Sequence, residues 1–298
     1  MPVILKFILA KLVGLYVNIL SLFAPKKAAR LAYRFFTQPR SGKLMHNNLP
    51  GILREAQTET VTIDDTAFQT YVWPGNATTV LLVHGWESNA GRWKLLISYL
   101  KKAGCTIIAL DAPAHGLTAG EEFNIPHYAV FIDYMVQRYK PQFMVGHSIG
   151  GATALYYQSH YPTTTTIKKM VVLGAPCDLR TVINNFRNTL WLAPWVVQSM
   201  KQLLTDSYKV NPDDFCGDMF ATKICTPGLL IHDKKDPTVA YKEGVKIAKS
   251  WPSARFITTK GLGHSMHNAA MYEEIYDFLF GHDPMALNAG GEAGTMAG

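Results

Sequence analysis

Three polar residues lie far apart in this 298-residue chain yet have the types and settings that acyl transfer needs: Ser148, Asp236 and His264. Ser148 stands in "MVGHSIGGATAL", where the apolar residues up to Val145 read as a short buried strand and Ala152 to Leu155 as the start of a helix. Gly146-His147-Ser148-Ile149-Gly150 has the G-x-S-x-G spacing of a nucleophile elbow. Glycines flank the serine because a Cβ on either side of so tight a turn would collide with neighbouring backbone, and the turn lifts the hydroxyl clear of the sheet. A serine hydroxyl is a poor nucleophile at neutral pH. It needs a base to take its proton and a carboxylate to orient that base. "TTKGLGHSMH" offers His264 and "LLIHDKKDPTV" offers Asp236, each on a loop that follows a strand, with His267 and Asp233 as neighbouring competitors.

The elements that must position these side chains alternate from Glu59 onward. Strand candidates are Glu59 to Asp64, Phe68 to Trp73, Thr79 to His84, Cys105 to Asp111, Gln142 to Gly146, Met170 to Gly174, Gly228 to His232 and Arg255 to Thr259. Helical stretches are Gly91 to Lys102, Ile125 to Tyr139, Gly151 to His160, Tyr241 to Ser250 and Asn268 to Phe280. Runs such as Val80-Leu81-Leu82-Val83 are apolar on both faces, as strands covered by helices on both sides must be. The expected fold class is therefore α/β, a mostly parallel sheet of about eight strands flanked by helices. The first two strands are joined too closely for a crossover and should form an antiparallel hairpin. In such sheets reactive residues belong at the carboxyl ends of strands. Residues 176–223 break the alternation and read as a small helical cap inserted into a domain of 49–282; residues 1–48 form an apolar and basic helical segment, and 283–298 a Gly- and Ala-rich disordered tail.

With "VHGWESNAGRW", "LDAPAHGLTAG", "VGHSIGG", "IHDKKDPTV" and "TKGLGHS" in this order, the chain resembles an α/β-hydrolase-fold serine hydrolase over roughly Gly51 to Gly281. More closely it is similar to small-cap bacterial hydrolases of the esterase and lipase type. The resemblance implies a triad of Ser148, Asp236 and His264, the family pattern aligning with Asp236 rather than Asp233, and glycines framing His264 rather than His267. It further implies an oxyanion hole made by the backbone N–H groups of Ile149 and Trp86. Asp111 and His115 are expected to stabilise a loop, and His84 to shape another. Asp233 stands where many relatives carry glycine, and Ala114 also replaces a glycine. The implied chemistry is hydrolysis of a carboxylic ester through an acyl-enzyme, without metal or organic cofactor and with activity rising with pH through the neutral range. Amide or C–C cleavage on the same triad, and a membrane-tethered binding protein without turnover, are the alternatives. In "NTLWLAPWVVQSM", Trp191 and Trp195 read either as an apolar substrate-binding lid over Ser148 or as glue between cap and body.

Composition narrows the partners. With 48% hydrophobic and 17% charged residues the chain is globular, and its net charge of +7 is spread without zinc-finger spacing or an RNA-binding string, which argues against nucleic acid. Four scattered cysteines suit neither a disulfide framework nor a metal site and point to reduced thiols in the cytoplasm. From Val3 to Phe23 only Lys6, Lys11, Asn18 and Ser21 are polar, and with Ala10 and Gly14 they fall within an arc of roughly 140° on a helix. Lys26, Lys27, Arg30, Arg34, Arg40 and Lys43 follow. Residues 3–24 are thus expected to attach the protein to the inner face of a membrane through lipid contacts, by spanning or by lying on it, or else to pack on the body or a second copy.

Overall fold

The computed structural model describes residues 3–63, 65–162, 165–209 and 211–281. Its strands are β1 (Gln57–Ile63), β2 (Thr66–Trp73), β3 (Asn76–Val83), β4 (Cys105–Leu110), β5 (Phe143–His147), β6 (Lys169–Leu173), β7 (Gly228–Asp233) and β8 (Ala254–Thr259). They form one sheet in the order β1-β2-β4-β3-β5-β6-β7-β8. β1 and β2 make the expected antiparallel hairpin, β2 also runs antiparallel to β4, and every later pairing is parallel. The crossing from β3 out to β4 and back to β5 makes β3 and β5 neighbours, so the loops after both strands open at the same end of the sheet.

The helices are α1 (Val3–Phe23), α2 (Pro25–Thr37), α3 (Gly51–Arg54), α4 (Lys94–Leu100), α5 (Ile125–Tyr139), α6 (Ile149–His160), α7 (Leu179–Leu190), α8 (Pro194–Tyr208), α9 (Gly217–Ala221), α10 (Tyr241–Ser250) and α11 (Ala269–Phe280). Alternation along each strand builds two cores. Leu81, Val83 and Met144 pack with Phe131, Ile132 and Leu155 of α5 and α6 on one face. Val80, Leu82 and Val145 pack with Leu96, Ile97 and Ile275 of α4 and α11 on the other. Asn268 caps α11 by accepting from the Met271 amide.

Three helices, α7 to α9, stand between β6 and β7, where one crossover would serve. The first two share a third core with the N-terminal pair: Val17, Ala28 and Ala32 pack with Ile183, Leu190, Val197 and Met200, all buried. Small residues at 28 and 32, one turn apart, let α2 approach α8 closely. Within the helical segment expected over residues 1–48 the structure has two long helices, broken at Ala24 before Pro25, a break the expectation did not place. Among the described residues no helix is long and apolar enough to cross a membrane. The expected tail at 283–298 lies outside the described residues.

Candidate active site

Ser148 directly follows β5 and caps α6 with φ 55° and ψ −127°, a backbone conformation strained for any residue with a Cβ. The flanking glycines explain how the turn closes. A Cβ on Gly146 would stand 2.7 Å from Gly151 Cα, and one on Gly150 would stand 2.3 Å from the His84 carbonyl oxygen. The serine makes no side-chain cap bond to its helix. Its hydroxyl is left to donate to His264 Nε2 at 2.9 Å. On the far side of the ring, Nδ1 donates to Asp236 Oδ2 at 2.7 Å. The other Asp236 oxygen accepts from the Thr238 and Val239 amides at 2.8 and 2.9 Å. Burial opposes charge on Asp236, but the His264 bond and these two amides outweigh it and hold the carboxyl below its ordinary range. The structure thus brings together the three residues singled out from sequence.

The competitors point elsewhere. Asp233 accepts from the Lys235 and Leu262 amides and from Thr259 Oγ1, each at 2.8 Å, so it ties the loop of Asp236 to the loop of His264. Those bonds prevail over burial and pull its carboxyl down to about 2. His267 Nδ1 pairs with the Tyr272 hydroxyl.

Ile149 opens α6, so its amide is one of the first-turn donors that no carbonyl within the helix can satisfy. The Gly85–Trp86 step runs beside it: a Cβ on Gly85 would stand 2.8 Å from the His147 oxygen and 2.9 Å from Ser148 Cβ. Both proposed oxyanion-hole segments therefore border the same hydroxyl. Buried neutral histidines lock these loops. His84 accepts the Ala112 amide at Nε2 and donates from Nδ1 to the Gly85 carbonyl, at 2.9 and 2.8 Å. His115 accepts the Glu87 amide at Nε2 and donates to Pro113 O. Burial drives their pKa values down to about 3 and about 4. Asp111, joined to the Ala90 and Leu117 amides and the Tyr71 hydroxyl, is pushed up to about 6 by its burial. These residues have the loop-holding place expected of them.

His147 was assigned no part from sequence. Its Nε2 donates to the His264 backbone carbonyl at 2.7 Å, and the two rings lie 4.9 Å apart. Burial keeps it neutral by lowering its pKa well below the ordinary value. No motif spacing distinguishes this side chain, because its partner is 117 residues away.

A cavity of about 350 Å³ opens on Ser148 and Ile149. Its wall is mainly apolar, with Trp86 and Phe123 from the body, Leu179, Val182, Phe186 and Leu204 from the cap, and Phe35 and Phe36 from α2; Arg40, Asn124, Asn185 and Glu243 add polar points. Trp191 and Trp195, expected as a lid over Ser148, are not among its lining residues. Both are more than half exposed on the outer side of the cap, where Lys11 Nζ sits 4.3 Å from the Trp191 ring and Trp195 Nε1 donates to Ser21 Oγ. The first turn of α8 faces α1 rather than the sheet, and this corrects the lid reading. Among the described residues the one cluster of metal-ligating types, Cys177, Asp178 and Asp218, includes no triad residue, and Asp178 is paired to Lys246.

Comparison with known proteins agrees with this geometry. A family model described as serine aminopeptidase, S33 matches residues 75–219, which takes in the Gly85–Trp86 loop, the elbow and most of the cap. The chain is 28% identical over 127 residues to a serine hydrolase-like protein of Danio rerio, a stretch covering 39% of this chain and 38% of that one. It is 28% identical over 103 residues to the monoglyceride lipase of Rattus norvegicus, covering 30% and 34%. The first curated relatives are matched over only 26% to 56% of their own length. An esterase from Pyrococcus furiosus superposes with a TM-score of 0.61 at 19% identity, over 81% of this chain and 96% of that one. The fold is the α/β-hydrolase fold. Over the matched stretches the chain is similar to serine hydrolases.

Proposed function

We propose that the protein is a carboxylesterase of lipase-like type that cleaves esters of hydrophobic acyl groups through an acyl-enzyme on Ser148. The observation that carries this reading is the unbroken hydrogen-bond chain from Ser148 through His264 to Asp236 at the floor of an apolar cavity. His264 Nε2 takes the hydroxyl proton as Ser148 Oγ attacks the ester carbon, and Asp236 stabilises the imidazolium that forms. The oxygen that gains negative charge is received by the Trp86 and Ile149 amides, each such donor being worth about 10²–10³ in rate. The alkoxide leaves with the proton from His264. Water, deprotonated by the same ring, then releases the acid and restores the serine. These steps need no metal or organic cofactor. The wall of Phe35, Phe36, Phe186 and Leu204 suits an acyl chain and offers little to a polar one.

The test is a panel of p-nitrophenyl esters from short to long acyl chains, run on the wild type and on Ser148→Ala, with fluorophosphonate labelling of both. The expected result is turnover favouring longer chains, lost by about 10⁴-fold or more in Ser148→Ala together with the label. Labelling that survives the substitution names the wrong nucleophile, and cleavage of anilides without cleavage of esters would move the reading to amides. We also place the body in the cytoplasm, on the inner face of a membrane. Four cysteines without a disulfide and the basic residues after α1 support that placement.

A further inference from the structure

Lys11, Asn18 and Ser21 of the α1 polar stripe face the protein, which inverts the usual arrangement of an amphipathic helix. Asn18 bridges the α7–α8 turn, donating to Trp191 O and accepting from the Ala193 amide, each at 2.8 Å. Lys11 donates to Asn188 O at 2.7 Å, and Ser21 receives Trp195. Gly14 lies so close to the cap that a Cβ there would stand 1.5 Å from the Leu190 oxygen. The helix is therefore held in one rotation about its axis. That rotation presents its apolar side outward: among the described residues, ten of the fifteen large hydrophobic side chains that stand exposed belong to α1, and Trp191 and Trp195 adjoin it. Such a surface exceeds what a monomer in water ordinarily shows.

We infer that this face of α1 is a docking surface for an anionic phospholipid bilayer, on which the helix lies flat, and that the enzyme takes its ester from the leaflet it rests on. Charge selects this occupant over a second copy of the chain. Leu22 and Phe23, the most exposed side chains of the helix, run directly into α2, whose exposed residues include Lys26, Lys27, Arg30 and Arg34. This pairing of apolar blade and basic flank matches acyl chains beneath anionic headgroups, whereas two copies meeting face to face would oppose like charges. At 21 residues the blade is about 32 Å long. The same N-terminal pair reaches the active site, because Phe35 and Phe36 of α2 wall the cavity over Ser148. Delivery of substrate from the bilayer rests on the esterase reading; docking does not.

The experiment uses the full chain with sedimented vesicles, either equimolar phosphatidylglycerol and phosphatidylcholine or phosphatidylcholine alone. Wild type is expected to bind the anionic vesicles, more weakly in high salt, and Leu12→Glu/Ile19→Glu to bind about tenfold less or worse. Lys26→Glu/Lys27→Glu should lose about tenfold on anionic vesicles alone. Both variants alter exposed side chains and should keep wild-type turnover of dissolved p-nitrophenyl butyrate, while turnover of p-nitrophenyl palmitate carried in anionic vesicles falls in step with binding. Wild type that ignores both vesicles, or binds as well after the substitutions, overturns docking. A dimer in analytical ultracentrifugation that Leu12→Glu/Ile19→Glu dissolves, without vesicle binding, assigns the face to a second copy. Vesicle palmitate turnover that persists when binding is lost overturns delivery. Vesicle binding with no turnover of any ester overturns the esterase reading and leaves docking standing.

Discussion

Asp233 and Asp236 are three residues apart on one loop, and their roles separate by what each carboxylate reaches. Asp236 orients His264, so Asp236→Asn keeps the shape and places an amide where the imidazole needs an acceptor; kcat should fall by about 10⁴ with a small change in stability. The Asp233 carboxylate bonds to no triad residue but joins the two loops that carry the triad. Asp233→Asn should therefore cost about 1–3 kcal/mol of stability while leaving much of kcat, as measured by urea unfolding beside ester turnover. The opposite pattern would exchange their assignments. Much of this was legible in the chain, since Gly146 to Gly150 and the framing of His264 by glycines each reflect a local steric need. His147 and Asp233 were not, because their tasks are defined by partners that only the folded sheet brings near.

Strands β3 to β7 could be read from apolar runs because burial on both faces leaves a contiguous signal, and α5 and α10 fall where their periodicity sets them. α2 was read only as part of a helical segment over 1–48; its bounds and inward face were not, because that face is alanine, which carries almost no hydropathy contrast beside four basic residues. The division at residue 48 likewise hides that α1, α2, α7 and α8 share one core, a relation between segments more than 140 residues apart. Gly14 gives this layer a direct test. A glycine inside a helix is about 1 kcal/mol worse than alanine, so in an isolated helix Gly14→Leu would gain stability. Here the new side chain would enter the Leu190 backbone, and α1 must move off the cap. The variant should unfold at a temperature several degrees lower and lose part of its preference for long acyl esters as the wall formed by Phe35 and Phe36 shifts, while short esters are cleaved as before. A stability gain with unchanged chain-length preference would show that α1 does not bear on the cavity.

The molecule as a whole buries more titratable side chains than its catalysis uses, and these set its response to acid. His84, His115 and His147 are held neutral by burial, with pKa values of about 3, about 4 and well below the ordinary value. Each is protonated in the unfolded chain once the pH falls below about 6.5, so each removes stability from that point downward. Asp111 acts in the opposite sense: raised to about 6, it binds its proton in the folded state first and adds stability as the pH falls from about 6 to about 4. Asp233 and Asp236, whose values are depressed, contribute fully above about 4 and lose their contribution only below it, so they are silent in this window. Three histidines against one carboxylate leave an uptake of about two protons on unfolding between pH 6 and pH 4, a slope of about 3 kcal/mol per pH unit. A domain with a typical stability of 5–15 kcal/mol should then begin to unfold near pH 4–5, well above the range where its carboxylates are neutralised. Urea unfolding at half-unit steps from pH 8 to pH 5 measures this slope. Stability that stays level over those steps would mean that the three rings are charged in the folded protein, and that the loops around Ser148 are not held by neutral imidazoles.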